Sequence, residues 1–142
     1  MEIKNYNQLD LNRVVKKVSL VVPAQSAKLG PPVGPILGQV KIKVKDFCTQ
    51  FNESTAKYIN GLPFPVIVFV YKNETFDFLI KTPTTTFLLK NMLKINGNNY
   101  LTLLDIYKIS LIKQRDLTHL NVKSIFKTIF LTAKTLKIKI KI

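Results

Sequence analysis

The hydrophobic pattern of this chain of 142 residues changes character once, at about Lys81, and this change limits the folds it can adopt. Up to Lys81, β-branched and aromatic residues occur in short runs, which is typical of strands. After it, apolar residues recur with the spacing of amphipathic helices. We therefore predict an α+β fold: a small N-terminal α/β domain over residues 13–80, then a C-terminal three-helix domain over residues 81–142. Residues 1–12 form an N-terminal extension.

The first part of the chain predicts about three strands and one helix. Val14–Val22 is rich in β-branched residues and is stopped by Pro23. Lys45–Tyr58 has apolar residues at helical spacing. Val66–Tyr71 and Thr75–Ile80 flank a short polar turn, so their spacing predicts a β-hairpin. A segment dense in Pro and Gly, residues 30–39, lies between the first strand and the helix.

The second part predicts three helices and a terminal strand. Thr82 precedes a proline and is a candidate N-cap for a helix ending near residue 95. Thr102–Asp105 matches the capping-box pattern, which predicts a second helix to about residue 115. Thr118 is a candidate cap for a third helix to about residue 137. Leu136–Ile142 alternates Leu or Ile with Lys, so we expect a short strand there.

The charge of the chain points to a polyanionic partner. There are 22 Lys and Arg against 8 Asp and Glu, a formal net charge of +14. Residues 81–142 carry twelve of the bases and only two acids. Nucleic acid is the first candidate partner and an anionic membrane surface is the second. No apolar run approaches the roughly 18 residues that a membrane span needs, so we favour nucleic acid.

The composition argues against catalysis and against a metal or other cofactor. One cysteine, Cys48, excludes an internal disulfide and a zinc cluster, and one histidine, His119, leaves no hydrolase triad or metal site. Cys48 lies among apolar helix positions and is interpreted as a buried packing residue. His119 is interpreted as a solvated loop histidine, with a phosphate contact as the alternative.

The third predicted helix separates into a core face and two polar stripes when its residues are placed about 100° apart. The apolar core face comprises Val122, Ile125, Phe126, Ile129, Phe130, Ala133 and Leu136. One stripe comprises Lys123, Lys127 and Lys134, and the next comprises Ser124, Thr128 and Thr135, with Leu131 between them. Lysines neutralise phosphates, and small hydroxyls can bond to ribose 2′-OH groups or to phosphates, so this face predicts RNA binding. The alternative is an ordinary solvated face, but the lysine stripe contains no interleaved acid.

Several segments together resemble the large-subunit ribosomal protein L11 family. They are GPPVGPILGQ at 30–39, DFC at 46–48, NGLPFPV at 60–66, FLIKTP at 78–83 and LTAKTL at 131–136. Their order and spacing both match, over about residues 13–142. The resemblance implies a C-terminal domain that binds the GTPase-associated region of large-subunit rRNA near the stalk base. It also implies an N-terminal domain that faces translational GTPases such as elongation factor G, and no enzymatic activity.

The resemblance assigns roles to individual residues. It implies a cleft against rRNA, where translation factors act and antibiotics bind in bacteria, bordered by Pro31, Pro32, Gly34, Pro35 and Gln39. Together with the lysine and hydroxyl stripes, it gives an rRNA-binding set of Lys81, Thr82, Pro83, Lys123, Ser124, Lys127, Thr128, Thr132, Lys134 and Thr135. The implied partners are large-subunit rRNA, stalk-base ribosomal proteins and translational GTPases, with neither a membrane nor a small-molecule substrate. Without the resemblance, the prolines would be interpreted as a rigid turn.

The chain departs from the family pattern at several positions. Leu131 stands where the family has a glycine, and the family also has glycines near Lys41 and commonly at Lys137. The loop at Asn96–Tyr100 is shortened. The abundance of Lys, Asn, Ile, Phe and Tyr is typical of an A/T-rich genome, and residues 1–12 resemble no targeting peptide. We therefore predict an organelle-encoded protein of the mitochondrial ribosome, with a plastid or the bacterial cytoplasm as alternatives.

Two other classes of function remain open. A free-standing regulator could use a three-helix unit to bind DNA, as homeodomain-like folds do, although the Pro/Gly-rich domain in front argues against it. An enzyme acting on RNA would need an acid–base pair, and none is evident. Co-sedimentation with ribosomal subunits separates the first of these from a ribosomal protein.

Overall fold

A computed structural model describes residues 11–97 and 99–141 of the chain. Most of the predicted extension over residues 1–12, the loop residue at 98 and the last residue of the predicted terminal strand lie outside these ranges. The chain divides into two compact units between Lys81 and Thr82, described separately below. Unit 1 combines a sheet with helices and unit 2 is mainly helical. The predicted α+β class is therefore confirmed.

Unit 1 is a three-stranded antiparallel sheet with two helices. In chain order, a 3₁₀ turn at Leu11–Arg13 is followed by β1 (Val14–Pro23), α1 (Val33–Gly38), α2 (Val44–Ser54), β2 (Pro63–Tyr71) and β3 (Phe76–Ile80). The strand order is β1-β2-β3, with Val68 opposite Val18 on one side and Phe78 on the other. The predicted hairpin between β2 and β3 is thus present.

The core of unit 1 lies between the sheet and its helices. Alternate residues of the strands, among them Val22, Val66 and Val68, are fully buried on that side. Helix α2 contributes Phe47 and Phe51, which stack with ring centroids 5.8 Å apart. Cys48 is buried in this cluster as predicted, and burial raises the pKa of its thiol.

Three features of unit 1 differ from the sequence prediction. Strand β2 begins at Pro63, three residues before the predicted start at Val66. The Pro/Gly-rich segment contains a helix, α1, because Val33 and Leu37 are one turn apart and both bury their side chains in the core. Helix α2 ends at Ser54, four residues before the predicted end at Tyr58. The Thr55 hydroxyl donates to the Phe51 carbonyl and accepts from the Gln25 backbone N–H, which turns the chain out of the helix.

Unit 2 is three helices with a two-stranded parallel sheet. It comprises α3 (Thr85–Asn96), β4 (Tyr100–Thr102), α4 (Leu103–Gln114), α5 (Val122–Thr135) and β5 (Lys139–Lys141). Strands β4 and β5 pair in parallel, with Leu101 opposite Ile140. The core is one cluster to which all three helices and β4 contribute: Leu89, Leu101, Ile106, Ile109, Ile125, Ile129 and Ala133.

The caps of these helices correct two predictions and confirm one. Thr84, not Thr82, caps α3, since its hydroxyl accepts from the Phe87 N–H. Asn121, not Thr118, caps α5. The capping box at Thr102 and Asp105 is present at the start of α4.

Thr82 fails to cap α3 because its groups are engaged elsewhere. Its backbone N–H and its hydroxyl both donate to the Asp116 carboxylate, at 2.9 and 2.5 Å. The terminal strand is shorter than predicted, because α5 is followed by a left-handed residue, Lys137, before β5 begins. Strand β4 was not predicted, since three residues are too few for a periodic pattern.

Candidate nucleic-acid interface

Helix α5 presents one face to the core of unit 2 and the opposite face to solvent. Ile125, Ile129 and Ala133 are buried, and they recur one turn apart along the helix. Val122, Phe126 and Phe130 are half-buried at the edges of this face. Leu136, which the helical pattern assigned to the core, is exposed because it is the C-cap residue and leaves the helical path.

The solvent face carries the predicted lysine ridge, which we define as Lys123, Lys127 and Lys134. All three side chains are exposed, and α5 contains no Asp or Glu. The Lys134 ammonium lies 4.8 Å from the centroid of the Phe130 ring, which keeps this charge beside the core face. The ridge is therefore a row of cations along one line of the helix.

Beside it runs the hydroxyl ridge, which we define as Ser124, Thr128, Thr132 and Thr135. The threonine hydroxyls donate to the carbonyls one turn earlier: Thr128 to Ser124 at 3.0 Å, Thr132 to Thr128 at 2.9 Å and Thr135 to Leu131 at 3.0 Å. Each of these protons is thereby used inside the helix, and the oxygen retains lone pairs as an acceptor. An acceptor row suits ribose 2′-OH groups, which can donate.

Leu131 separates the two ridges and is 59% exposed. It gives the solvent face of α5 an apolar protrusion between a cationic row and an acceptor row. No core contact explains a large apolar residue here, since the buried face of the helix lies on the opposite side.

The predicted site residues near the junction of the units are not all on the surface. Thr82 and Pro83 are buried, and Lys81 is half-buried in unit 1. Both hydrogen-bond donors of Thr82 bind Asp116 and so connect the start of unit 2 to the segment after α4. Sequence reasoning identified the position as special but could not find its partner, which lies 34 residues further along the chain.

The Pro-rich segment forms a separate surface on unit 1. Pro31, Pro32, Pro35 and Gln39 are exposed. Gly34 differs from them: a Cβ there would lie 2.0 Å from the Leu29 carbonyl oxygen, so only glycine fits this close backbone approach. The predicted rRNA-binding residues of α5 thus share one helix face in unit 2, and the exposed prolines form a surface of their own in unit 1.

The described residues contain neither a metal-binding cluster nor a candidate membrane span. Within residues 11–97 and 99–141, no group of three His, Cys, Asp or Glu side chains is placed to hold a metal ion. No described helix is long and apolar enough to cross a membrane.

Comparison with known proteins identifies the family. Residues 18–76 match the model of the ribosomal protein L11 N-terminal domain, and residues 81–140 match that of the ribosomal protein L11 RNA-binding domain. The chain is 41% identical over 85 residues to the large ribosomal subunit protein uL11 of Rickettsia akari, an alignment that covers 60% of this chain and 59% of the relative. It is 32% identical over 133 residues to the uL11 protein of Rickettsia massiliae, covering 87% of this chain and 92% of the relative. The predicted resemblance is confirmed, and the chain belongs to the ribosomal protein L11 family.

Proposed function

We propose that this chain is a structural protein of the large ribosomal subunit, and that it binds large-subunit rRNA through the lysine and hydroxyl ridges of α5. The observation that carries the proposal is the pairing of an acid-free cationic row with an acceptor row on one exposed helix face. The family model that spans this helix is described as an RNA-binding domain. The L11 family is structural and not enzymatic, which agrees with the prediction that the chain catalyses nothing.

The electrostatics of unit 2 support a polyanionic ligand. Residues 82–142 contain 11 Lys and Arg and 2 Asp, a net charge of +9. Both acids are engaged inside the unit: Asp105 in the capping box of α4 and Asp116 with Thr82. The positive potential of the unit is therefore hardly offset at its surface, and phosphates can neutralise it.

The ridges favour RNA over DNA as the polyanion. Lysines contact phosphates of either nucleic acid and carry no such preference. The threonine oxygens can accept from a 2′-OH, which DNA lacks. In a DNA complex these oxygens would find no 2′-OH donor, and the hydroxyl groups could contact only phosphates.

The finer assignment rests on the family resemblance. We propose that the rRNA site is the GTPase-associated region at the stalk base, beside stalk-base ribosomal proteins. The exposed prolines of unit 1 would face translational GTPases such as elongation factor G. Rigid prolines suit such a role, because a surface with fixed φ angles loses little entropy when a partner binds.

We also propose that the ribosome is mitochondrial and the gene organelle-encoded. The support is compositional: an excess of Lys, Asn, Ile, Phe and Tyr with five Gly and no Trp. Mapping the gene tests this directly, and a nuclear or bacterial chromosomal location would refute it.

The rRNA proposal predicts a change in salt dependence. Lys127→Ala or Lys134→Ala should weaken binding to a large-subunit rRNA fragment and reduce the log–log salt slope by up to about 0.9, the effect of losing one phosphate contact. The measurement is a binding titration at several salt concentrations. Lys90→Ala removes another exposed lysine, on α3, and should leave the slope unchanged. A slope unchanged in both ridge variants would mean that the ridge is only solvated.

A further inference from the structure

The outer face of α4 is apolar, in contrast to that of α5. Leu104, Tyr107, Leu111 and Ile112 are 62%, 47%, 46% and 44% exposed. With about 100° between successive residues, Leu104, Tyr107 and Leu111 form one row along the helix. Lys108, Ile112 and Arg115 form a neighbouring row, in which both charged side chains are exposed. We call these two rows the α4 outer face.

This face is not needed for the packing of unit 2. The core side of α4 consists of Ile106 and Ile109, flanked by the buried Asp105 and Ser110, and lies opposite the exposed row. The helix thus carries large apolar residues on both sides, and its own unit covers only one of them. A contiguous exposed apolar patch beside charged residues is typical of an interaction site.

The α4 outer face and the α5 ridges lie on different sides of unit 2. Ile106 and Ile109 of α4 meet Ile125 and Ile129 of α5 in one core cluster. Because each exposed face is opposite its own buried face, the two surfaces point away from this shared core in different directions. The two surfaces are therefore separate, and a ligand can contact the α5 ridges without contacting the α4 outer face.

We propose that the α4 outer face docks an acidic amphipathic helix of another protein. The charges select the partner: Lys108 and Arg115 border the apolar row, and the acid of this helix, Asp105, is buried and hydrogen-bonded. A partner that matches both rows has aliphatic residues along one stripe and Asp or Glu beside it. The row from Leu104 to Leu111 is about 10 Å long, which matches about two turns of a helix.

The same features argue against the other possible occupants. RNA can bury a single apolar side chain such as Leu131, but on α4 it would place a polar, charged ligand against four contiguous ones. A second copy of this chain, with its charge of +14, would repel the basic border. An anionic membrane is expected to require a longer apolar face with a denser basic border. This proposal does not depend on rRNA binding by α5, since it concerns a different face.

Site-specific photo-crosslinking in cells that express the full chain tests this proposal. Tyr107 is replaced by p-benzoylphenylalanine, which keeps an aromatic ring at an exposed position; the matched control carries the same crosslinker at Leu131 on α5. We expect the Tyr107 adduct to resist ribonuclease, to be lost on protease treatment and to map to a segment with acids beside apolar residues. Combining it with Lys108→Glu and Arg115→Glu should reduce the adduct about tenfold or more, with the unfolding temperature retained.

Three results would overturn the proposal. The first is a Tyr107 adduct with RNA, with lipid or with a second copy of the chain. The second is a protein adduct that the charge reversal does not reduce, and the third is no adduct at Tyr107 while the Leu131 control crosslinks to RNA. Failure of the Leu131 control to reach RNA, with the acidic protein adduct present at Tyr107, would instead contradict the function proposed for α5 alone.

Discussion

The Asp105 carboxylate accepts three hydrogen bonds from two residues of unit 2. They come from the Thr102 backbone N–H at 3.0 Å, the Thr102 hydroxyl at 2.8 Å and the Asn96 side-chain amide at 3.0 Å. The backbone hydrogen bond from Thr102 is the main reason that the pKa of Asp105 lies below its usual value, although burial acts in the opposite direction. One residue thereby caps α4 and ties it to the end of α3.

This arrangement predicts how unit 2 responds to acid. A carboxyl whose pKa is lower in the folded than in the unfolded state stabilises the fold above its unfolded pKa of about 3.9. That stabilisation is lost as the pH falls through the lower, folded pKa. Asp105→Ala should reduce the free energy of unfolding by about 1–2 kcal/mol at pH 7, and this difference should shrink below pH 4. Urea unfolding at pH 7 and pH 3 measures it; an equal loss at both pH values would contradict the prediction.

Lys137 holds a backbone conformation that favours glycine. Its φ is 56°, and its N–H donates to the Lys134 carbonyl while that of Ile138 donates to the Ala133 carbonyl. These two bonds are the Schellman motif that ends α5. The resemblance places a glycine at this position, and Lys41, near another family glycine, has a φ of 58°. The chain thus keeps both left-handed turns with lysine.

Lys137→Gly should therefore stabilise unit 2. Relief of the left-handed strain exceeds the entropy that glycine adds to the unfolded chain, leaving a gain of about 0.5–1 kcal/mol. Thermal or urea unfolding measures this change. Lys137→Ala is the matched control, since it removes the same charge but keeps the Cβ, and it should give no such gain. If both variants stabilise equally, charge repulsion and not backbone conformation is the cause.

At the scale of the element, the sequence predicts what is encoded locally. The capping box of α4 and the ridges of α5 were predicted because their residues are neighbours within one helix. The predicted caps of α3 and α5 are wrong because the residues that cap them, Thr84 and Asn121, lie two and three positions further on, and in α3 the choice depends on the distant Asp116. Helix α1 is not predicted because prolines and glycines, which usually mark turns, dominate its sequence. Only Val33 and Leu37 signal the buried face of a helix there. Distant partners and three-residue strands leave no periodic signal.

The solvent face of α5 offers cations, hydroxyl acceptors and one apolar side chain, Leu131. A substitution of Leu131 tests the apolar contribution to binding by itself. Leu131→Ala should weaken rRNA binding by about 1–2 kcal/mol if the exposed side chain is buried against RNA. The salt slope should not change, because no charge is removed. Alanine keeps the helix, as circular dichroism can verify. Tighter binding by the alanine variant would show instead that Leu131 holds the RNA away from the helix.

At the scale of the molecule, the two units divide both the core and the charge. Among the described residues, unit 1 has two hydrophobic clusters and unit 2 has one, and no cluster contains residues of both units. Residues 1–81 carry 11 bases and 6 acids, a net +5, against +9 for residues 82–142. A chain built this way can place rRNA binding in unit 2 and translation-factor contacts in unit 1, because each hydrophobic cluster is built from residues of one unit.

This division predicts that unit 2 folds and binds RNA alone. A fragment starting at residue 80 keeps the bonds of Thr82 to Asp116 and the pairing of β4 with β5. It should unfold cooperatively and bind the rRNA fragment with nearly the salt slope of the full chain, since the α5 ridges are intact.

In the full chain, Pro31→Ala should leave rRNA binding unchanged while altering the stimulation of a translational GTPase by the reconstituted subunit. If Pro31→Ala reduces rRNA binding and GTPase stimulation equally, the proline supports the fold of unit 1. If the fragment that starts at residue 80 does not fold, unit 2 depends on unit 1 for its stability.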